Sequence, residues 1–448
     1  MTEQGLSHPK TFTSLVLLVS DSLKITLNKL TKITTTKIRT LMKKIELLAP
    51  AGNFSKLKTA LNYGADAVYV GGKAFSLRAF SDNFTFDELK EAVIYTHNLG
   101  KKIYVTVNAF MKNSDISGIG DYFKYLYEIG VDAVIVTDPG AIYLAKSVAP
   151  NLELHLSTQA NTQNKLAVKF WKEQGVKRIV LARELSLKEI KEISLSDSEV
   201  ELEAFIHGAM CISYSGRCLL SNYLTGRDSN RGECVQACRW NYGIKDLSKE
   251  SDYFPIEEDE RGTYILNSKD LNMLDYIGEM IDAGVCSFKI EGRMKGEYYL
   301  ATVINAYRRA IDEYLKVGSA YRENPLYQSE LKKTFHRAFT TAYAFGDNEQ
   351  TVNYENSQST GDSLFVASVL SYDKESKTAL VEMRNRFMVG DVLEVLSPTE
   401  TFNKTFTVTE ILDEKGETVL DAKRVQQKLY VKTELALQEG DMLRRSIK

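Results

Sequence analysis

The chain carries almost no net charge. Lysine and arginine number 57 against 59 acidic residues, giving −2 at pH 7. That excludes a global basic footprint for nucleic acid, so any RNA contact must rest on a local patch. No long apolar run is present. Leu15-Val16-Leu17-Leu18-Val19 is too short to span a bilayer. Asp21 and Lys24 follow it where a signal peptide would place a small-residue cleavage site. H-E-x-x-H and G-x-S-x-G are both missing, which removes two common hydrolase signatures. No G-x-G-x-x-G follows an apolar strand, which argues against a nicotinamide fold. Histidine is scarce, and His8, His97, His155 and His336 stand beside no evident nucleophile.

Cysteine is sparse too, but it is concentrated. Of five, Cys211, Cys218, Cys234 and Cys238 fall within 28 residues, spaced C-x6-C-x15-C-x3-C, and Cys286 lies alone. Four soft thiolates on one loop-rich stretch are what a zinc ion or an iron–sulfur cluster requires. A disulfide set would need an oxidising compartment. Structural zinc usually draws on two close pairs, and only Cys234 and Cys238 approach one. Four unligated structural cysteines are the bland alternative. Cys234-x3-Cys238 begins like a radical-SAM motif, but Asn241 occupies the third position. Cys286, within an apolar run, reads as a buried small residue.

Residues 1–41 are rich in Thr, Ser and Lys, with Glu3 and Asp21 the only acids. They read as a disordered leader, an organelle transit peptide, or an overrun upstream of a start at Met42; the last is preferred. From residue 45 short apolar strands alternate with amphipathic helices. Strands are expected near 45–49, 67–70, 102–107, 133–136, 152–156, 178–181, 202–206 and 286–290. Helices follow each, among them 54–63, 86–99, 119–129 and 298–317. Gly64, Gly100, Gly130, Gly175 and Gly284 mark helix ends just before strands. Eight such units fit a (β/α)8 barrel over 42–345, with an open doubly wound sheet as the alternative. About 80 residues separate the seventh strand from the eighth. The insertion, about 208–262, holds the four clustered cysteines and the acidic run Glu257-Glu258-Asp259-Glu260. It must lie over the C-terminal mouth, where βα loops emerge. Beyond about 362 short alternating strands take over, near 363–372, 377–382, 392–396, 405–411 and 429–432. They suggest a small antiparallel β-barrel or sandwich over 362–448.

Functional side chains of a barrel gather at strand C-termini. Those positions hold Tyr69, Asn108, Asp138, Gln159, Arg183, Glu184, His207, Lys289, Glu291 and Arg293. Arg183, Lys289 and Arg293 suit a substrate bearing carboxylates or phosphates; each also reads as a rim salt bridge. His207, four residues before Cys211, is a candidate general acid, a neighbour of the thiolates, or a packed core histidine. In the insertion Arg217, Arg227, Arg231 and Arg239 face only Asp228 and Glu233. They read equally as a phosphate patch or as a solvated, locally paired loop.

Several segments carry a resemblance. Glu46-Leu47-Leu48-Ala49-Pro50-Ala51-Gly52, Gly64-Ala65-Asp66-Ala67-Val68-Tyr69, Glu203-Ala204-Phe205-Ile206-His207-Gly208-Ala209-Met210-Cys211, Ser215-Gly216-Arg217-Cys218 and Phe288-Lys289-Ile290-Glu291-Gly292-Arg293 together resemble the collagenase-like U-32 peptidase family. Arg384-Asn385-Arg386-Phe387 with Gly390-Asp391 looks like that family's C-terminal domain. Better-understood members are oxygen-independent hydroxylases with a 4Fe–4S cluster on four cysteines. The long branch with the extra domain resembles tRNA hydroxylases that form 5-hydroxyuridine at the wobble position with prephenate as hydroxyl donor. By this resemblance Cys211, Cys218, Cys234 and Cys238 would hold the cluster. Of the strand-end set, Tyr69, Asn108, Gln159, Arg183, Lys289 and Arg293 are read from their position as substrate-binding, and His207, Glu184 and Glu291 as catalytic. The implied partner is a tRNA anticodon stem-loop, with a paralogous family member as a heteromeric partner, in the cytoplasm and without a membrane. Tyr214, Tyr223 and Trp240 would be available for base stacking, and read equally as packing within the insertion. Ribosomal RNA cytidine hydroxylation and a peptidase with a structural metal are the alternatives the family also implies.

Overall fold

The computed structural model describes residues 45–73, 75–76, 82–197, 199–240, 258–259, 262–263, 268–346 and 359–447. The leader, and Glu257 and Glu260 of the acidic run, lie outside the described residues. Strands β1 (Glu46–Pro50), β2 (Ala67–Gly71), β3 (Lys102–Val107), β4 (Ala133–Val136), β5 (Leu154–Leu156), β6 (Arg178–Val180) and β7 (Glu201–Ala209) pair in parallel, each with the next. A short strand, β8 (Asp270–Asn272), follows the insertion. Strand β9 (Ser287–Ile290) then pairs in parallel with both β7 and β1 and closes an eight-stranded barrel.

Helices α1 (Phe54–Asn62), α2 (Phe86–Asn98), α3 (Asn113–Glu128), α4 (Pro139–Val148), α5 (Lys165–Glu173) and α6 (Leu187–Ser196) stand between the strands. Their starts are chemically marked. Asn53 accepts from the Lys56 amide, and Thr85–Glu88 and Ser186–Glu189 form capping boxes. Glycine is required at some ends. Gly284 has φ +97°, and a Cβ there would lie 1.9 Å from Ser194 Oγ.

The structure departs from the sequence reading at α3. Helix was expected from residue 119, but the element begins at Asn113 and breaks at Ser117–Gly118, where Gly118 has φ +95°. The extra N-terminal turn carries Asp115, which the site uses. Strand β8 was not anticipated. It runs antiparallel to the end of β7, with Asn272 opposite His207, and β10 (Phe339–Thr340) extends it in parallel.

The barrel interior is charged at its N-terminal end. Arg178 bonds to Glu46, Glu201, Glu203 and Ser287, while the Tyr104 hydroxyl donates to Glu46 at 2.6 Å. Lys289 Nζ lies 2.7 Å from Glu203. Each buried charge therefore has a partner, the condition for carrying charge inside. Burial alone would hold the Glu203 carboxyl up, but Lys289, Arg178 and His155 bring it below its ordinary value.

Helices α7 (Leu220–Thr225), in the insertion, and α8 (Ile277–Asp282) are short. Helix α9 (Glu297–Val317) is the longest, and α10 (Pro325–Lys332) follows it. The C-terminal part is a curled antiparallel sheet. In chain order its strands are β11 (Ser363–Asp373), β12 (Thr378–Met383), β13 (Phe387–Met388), β14 (Val392–Leu396), β15 (Thr405–Thr407), β16 (Ile411–Leu412), β17 (Asp421–Ala422), β18 (Lys428–Lys432) and β19 (Met442–Ser446). Seven pair in the order β15-β14-β19-β11-β12-β18-β16, around an apolar core of their own. The expected strand at 405–411 is split in two, and β19 joins β11 to β14. This sheet docks on the barrel through buried polar contacts. The Tyr63 hydroxyl donates to the Leu396 carbonyl at 2.9 Å, Asn305 donates to the Ser397 carbonyl at 3.1 Å, and Arg444 donates to Glu330 at 2.7 Å. Among the described residues no helix is long and apolar enough to cross a membrane.

Candidate functional site

A cavity of about 500 Å3 opens at the C-terminal mouth of the barrel. Strand ends form its floor and lower walls, and the insertion after β7 forms its roof. Tyr69, Asn108, Gln159, Arg183, Lys289, Glu291 and Arg293 all line it. So do Cys211, Cys218, Cys234 and Cys238. The floor is partly apolar, with Ile135, Phe205 and Met210. This size and mixture suit a small organic ligand or an unstacked base.

The roof is fastened at two places. Glu184, just past β6, accepts from the Ser215 amide at 2.9 Å. Beside it, Gly216 packs so closely on Gln159 that a Cβ would lie 2.2 Å from the Gln159 carbonyl oxygen. On the other side Arg231 donates two bonds to Asp115, at 2.8 and 3.2 Å, and one to the Phe110 carbonyl. Within the roof, Ser229 and Asn230 both donate to the Cys218 carbonyl, and the Val235 amide donates to Ser221.

None of the five cysteines is in a disulfide. Cys211 and Cys234 face open space in the cavity, and Cys218 and Cys238 are half-buried. The surrounding walls push the Cys211 thiol up, and burial does the same to Cys238. Each also feels the charge of other members of the set. Burial would raise Cys218 as well, but the Ser213 and Ser229 hydroxyls and the Leu220 and Ser221 amides hold it below its ordinary range. As placed among the described residues, no three His, Cys, Asp or Glu side chains gather closely enough to hold a metal ion. The thiols therefore border a common space without meeting at a point.

The other singled-out residues take varied places. Tyr69 donates to the Ile290 carbonyl at 2.9 Å, with Lys289 Nζ 4.5 Å above its ring. Asn108 donates to Ser157 at 3.4 Å. Arg183 stacks on Phe205 at 3.9 Å, donates to the Ala209 carbonyl, and lies 3.9 Å from Glu291. Lys289 is held by Glu203, and Arg293 is buried among Ser76, Thr106 and Asn83. Asp138 caps α4. His207 and Glu184 stand apart from the cavity lining. His207 is buried behind it among Tyr299, Tyr307 and Phe339, and burial holds its imidazole down to about 3. Among the insertion's arginines, Arg231 is spent on Asp115. Sequence reasoning missed two lining cations, Lys295 and Arg337. Lys295 lies two residues past Arg293 and was within reach of the strand-end rule. Arg337 reaches the cavity from beside β10, which has no strand-end signature.

A closed barrel roofed by a thiol-bearing insertion and backed by a curled β domain defines the class. The chain belongs to peptidase family U32: that family's model matches residues 52–354, and the model of its C-terminal domain matches 362–444. It is 42% identical over 410 residues to "tRNA hydroxylation protein P1" of Bacillus subtilis, covering 91% of this chain and 96% of that one. It is 37% identical over 417 residues to "tRNA hydroxylation protein P" of Escherichia coli, covering 84% and 91%. It is also 33% identical over 370 residues to a "Collagenase" of Porphyromonas gingivalis, covering 79% and 87%.

Proposed function

We propose that this protein hydroxylates tRNA, forming 5-hydroxyuridine at the wobble position without molecular oxygen. The names of its relatives support the tRNA part of this reading. One structural observation supports the redox part of this reading: four cysteines from a single insertion line the same cavity as the polar strand ends. Cys211, Cys218, Cys234 and Cys238 would hold a 4Fe–4S cluster. Clusters of this kind are held by cysteine thiolates, and these four line one space. Such a cluster supplies one-electron redox chemistry beside the cavity.

The chain's own residues would do the positioning. Tyr214 lines the mouth and Tyr223 is 82% exposed on the roof, so both are available to stack on splayed bases. Arg217 lies exposed beside them and would meet backbone phosphate. The cavity would take a carboxylate-bearing hydroxyl donor, with prephenate the candidate and a cytoplasmic setting implied. Arg183 would orient that donor from its stack on Phe205.

A peptidase is the second reading, favoured by the collagenase relative. It would need a nucleophile beside a base. Among the described residues the histidines bond instead to Asp132, Glu153, Tyr307 and the Arg337 carbonyl. The deciding experiment is nucleoside mass spectrometry of RNA from cells with and without the gene. Loss of 5-hydroxyuridine from tRNA is expected. Loss of a hydroxycytidine from ribosomal RNA would move the substrate, and unchanged RNA would remove the hydroxylase reading.

A further inference from the structure

The C-terminal domain separates its charge. Residues 362–448 hold 13 basic and 15 acidic side chains, yet the turns 384–386 and 423–428 carry five of the basic ones and no acid. The two turns form one surface. The Met383 amide donates to the Gln427 carbonyl at 2.9 Å, and the Gln426 amide donates to the Met383 carbonyl at 2.8 Å. Three carboxylates border this surface, and each is shared. Asp421 takes Arg386 at 2.7 Å and Lys423 at 3.0 Å. Glu382 takes Arg384 at 2.9 Å and stands opposite Lys428 across β12 and β18. Asp391 also acts on Arg386, but it is itself held by Arg445 at 2.6 Å. Arg424 has no ion pair among the described residues. Arg386, Lys423, Arg424 and Lys428 are all exposed. Ion pairs this exposed hold little, so an incoming anion can take these cations over.

The surface hangs from the mouth side of the barrel. Helix α9 begins at Glu297, just past the C-terminal end of β9 and two residues after Lys295 of the cavity lining. Tyr298, in its first turn, stacks on Phe365 of β11 with ring centroids 5.3 Å apart, and Asn385 donates to the Phe365 carbonyl at 2.7 Å. The turns hold charge without an aromatic platform, since the neighbouring Phe387 is fully buried. That suits sugar–phosphate backbone rather than unpaired bases. We propose that the turns 384–386 and 423–428 grip the phosphate backbone of an RNA stem whose loop enters the barrel mouth. The proposal rests on the RNA hydroxylase reading and adds where on the chain the stem is held. A loop seated in the mouth is continuous with a paired stem, and paired RNA is met mainly through its shape and its phosphates.

The test uses full-length protein. Wild type, the pair Arg424→Gln with Lys428→Gln, and Arg386→Gln are compared by fluorescence anisotropy. Lys374→Gln, exposed on another turn of the same domain, is the control. The probes are a synthetic anticodon stem-loop with a wobble uridine, the loop sequence alone as a short single strand, and a poly-glutamate peptide. Thermal melting checks folding. The paired variant should bind the stem-loop about 10-fold more weakly at about 50 mM salt, and its slope of log affinity against log salt should flatten by about 2. Arg386→Gln should fall between it and wild type. The control should match wild type, and single-strand affinity should not change. Stem-loop affinity within about 2-fold of wild type in the paired variant, or an unchanged salt slope, would overturn the stem contact. So would wild-type protein that binds no stem-loop, or an equal loss for the single strand. A peptide held by the same turns as tightly as the stem-loop would assign the surface to an acidic protein and also overturn it. Nucleoside analysis of tRNA from cells with and without the gene separates the two ideas. Gene-dependent hydroxylated tRNA with an unaffected paired variant removes the stem contact and keeps the reaction. Turn-dependent stem-loop binding without any hydroxylated nucleoside keeps the contact and removes the reaction.

Discussion

The Glu184 carboxylate accepts the Ser215 amide at 2.9 Å and the Ser215 hydroxyl at 3.3 Å. This contact ties the end of β6 to the loop between Cys211 and Cys218, so a barrel residue sets where two thiols sit. Glu184→Ala would leave a part-buried amide without its acceptor, at a cost of about 1–3 kcal/mol. The loss should be local. Limited proteolysis within 211–240 should quicken and iron retention should fall, while the barrel's melting temperature changes little. Unchanged cleavage would show that Arg231 and Asp115 hold the roof alone.

The proposed ligand set gives a sharper expectation. Serine at any of Cys211, Cys218, Cys234 or Cys238 should lower iron and hydroxylated nucleoside together, because a hydroxyl is a hard, poor ligand for a cluster. Cys286→Ser should keep both. Cys286 is buried with its Sγ 3.5 Å from the Leu202 carbonyl, away from the cavity lining. Iron per protein and absorbance after anaerobic purification read the result. A requirement for Cys286 would break the assignment.

Much of this architecture was legible in the chain. Apolar strands of four to six residues with glycine-marked helix ends gave the barrel, because both signals are local. Strand-end counting reached Tyr69, Asn108, Gln159, Arg183 and Glu291, which do line the cavity. It reached Lys289 and Arg293 too, which also line the cavity, but not the groups that hold them. Their partners Glu203 and Ser76 sit 86 and 217 positions away, separations that periodicity does not encode. Strand β8 escaped notice because three residues carry no alternation, and Arg337 because its position depends on that strand. The roles of His207 and Glu184 depended on whether they face the cavity, which strand position alone does not specify.

Barrel stability should depend on the interior charges. Glu203→Gln would leave Lys289 and part of Arg178 without their buried counter-charge. The expected loss is about 3–5 kcal/mol, read as a lower urea midpoint at unchanged slope. A double change, Glu203→Leu with Lys289→Met, should recover much of it, since removing both charges also removes the desolvation cost.

His207 sets a pH dependence. Burial holds it down to about 3, whereas unfolded histidine titrates near 6.5. Below about 6.5 the unfolded chain binds a proton that the folded chain refuses. Its contribution is therefore complete above that pH and declines as pH falls toward about 3. From pH 7.5 to 5.5 wild type should lose about 1.4 kcal/mol more than His207→Gln, measured by urea denaturation at both pH values. Equal losses would mean that the imidazole protonates in place.

Arg444 is fully buried, yet it belongs to the last strand and pairs with Glu330 of α10 and with Glu394 of β14. Lys333 joins the same group, reaching Glu394 at 2.7 Å. The two halves of the molecule are thus written in one another's charges. A chimera that borrows the C-terminal domain from a distant relative inherits a guanidinium one of whose two counter-ions, Glu330, is encoded more than a hundred residues upstream. Such grafts should succeed only when the residues at 330 and 333 travel with the domain. In evolution the pair would then change together or not at all.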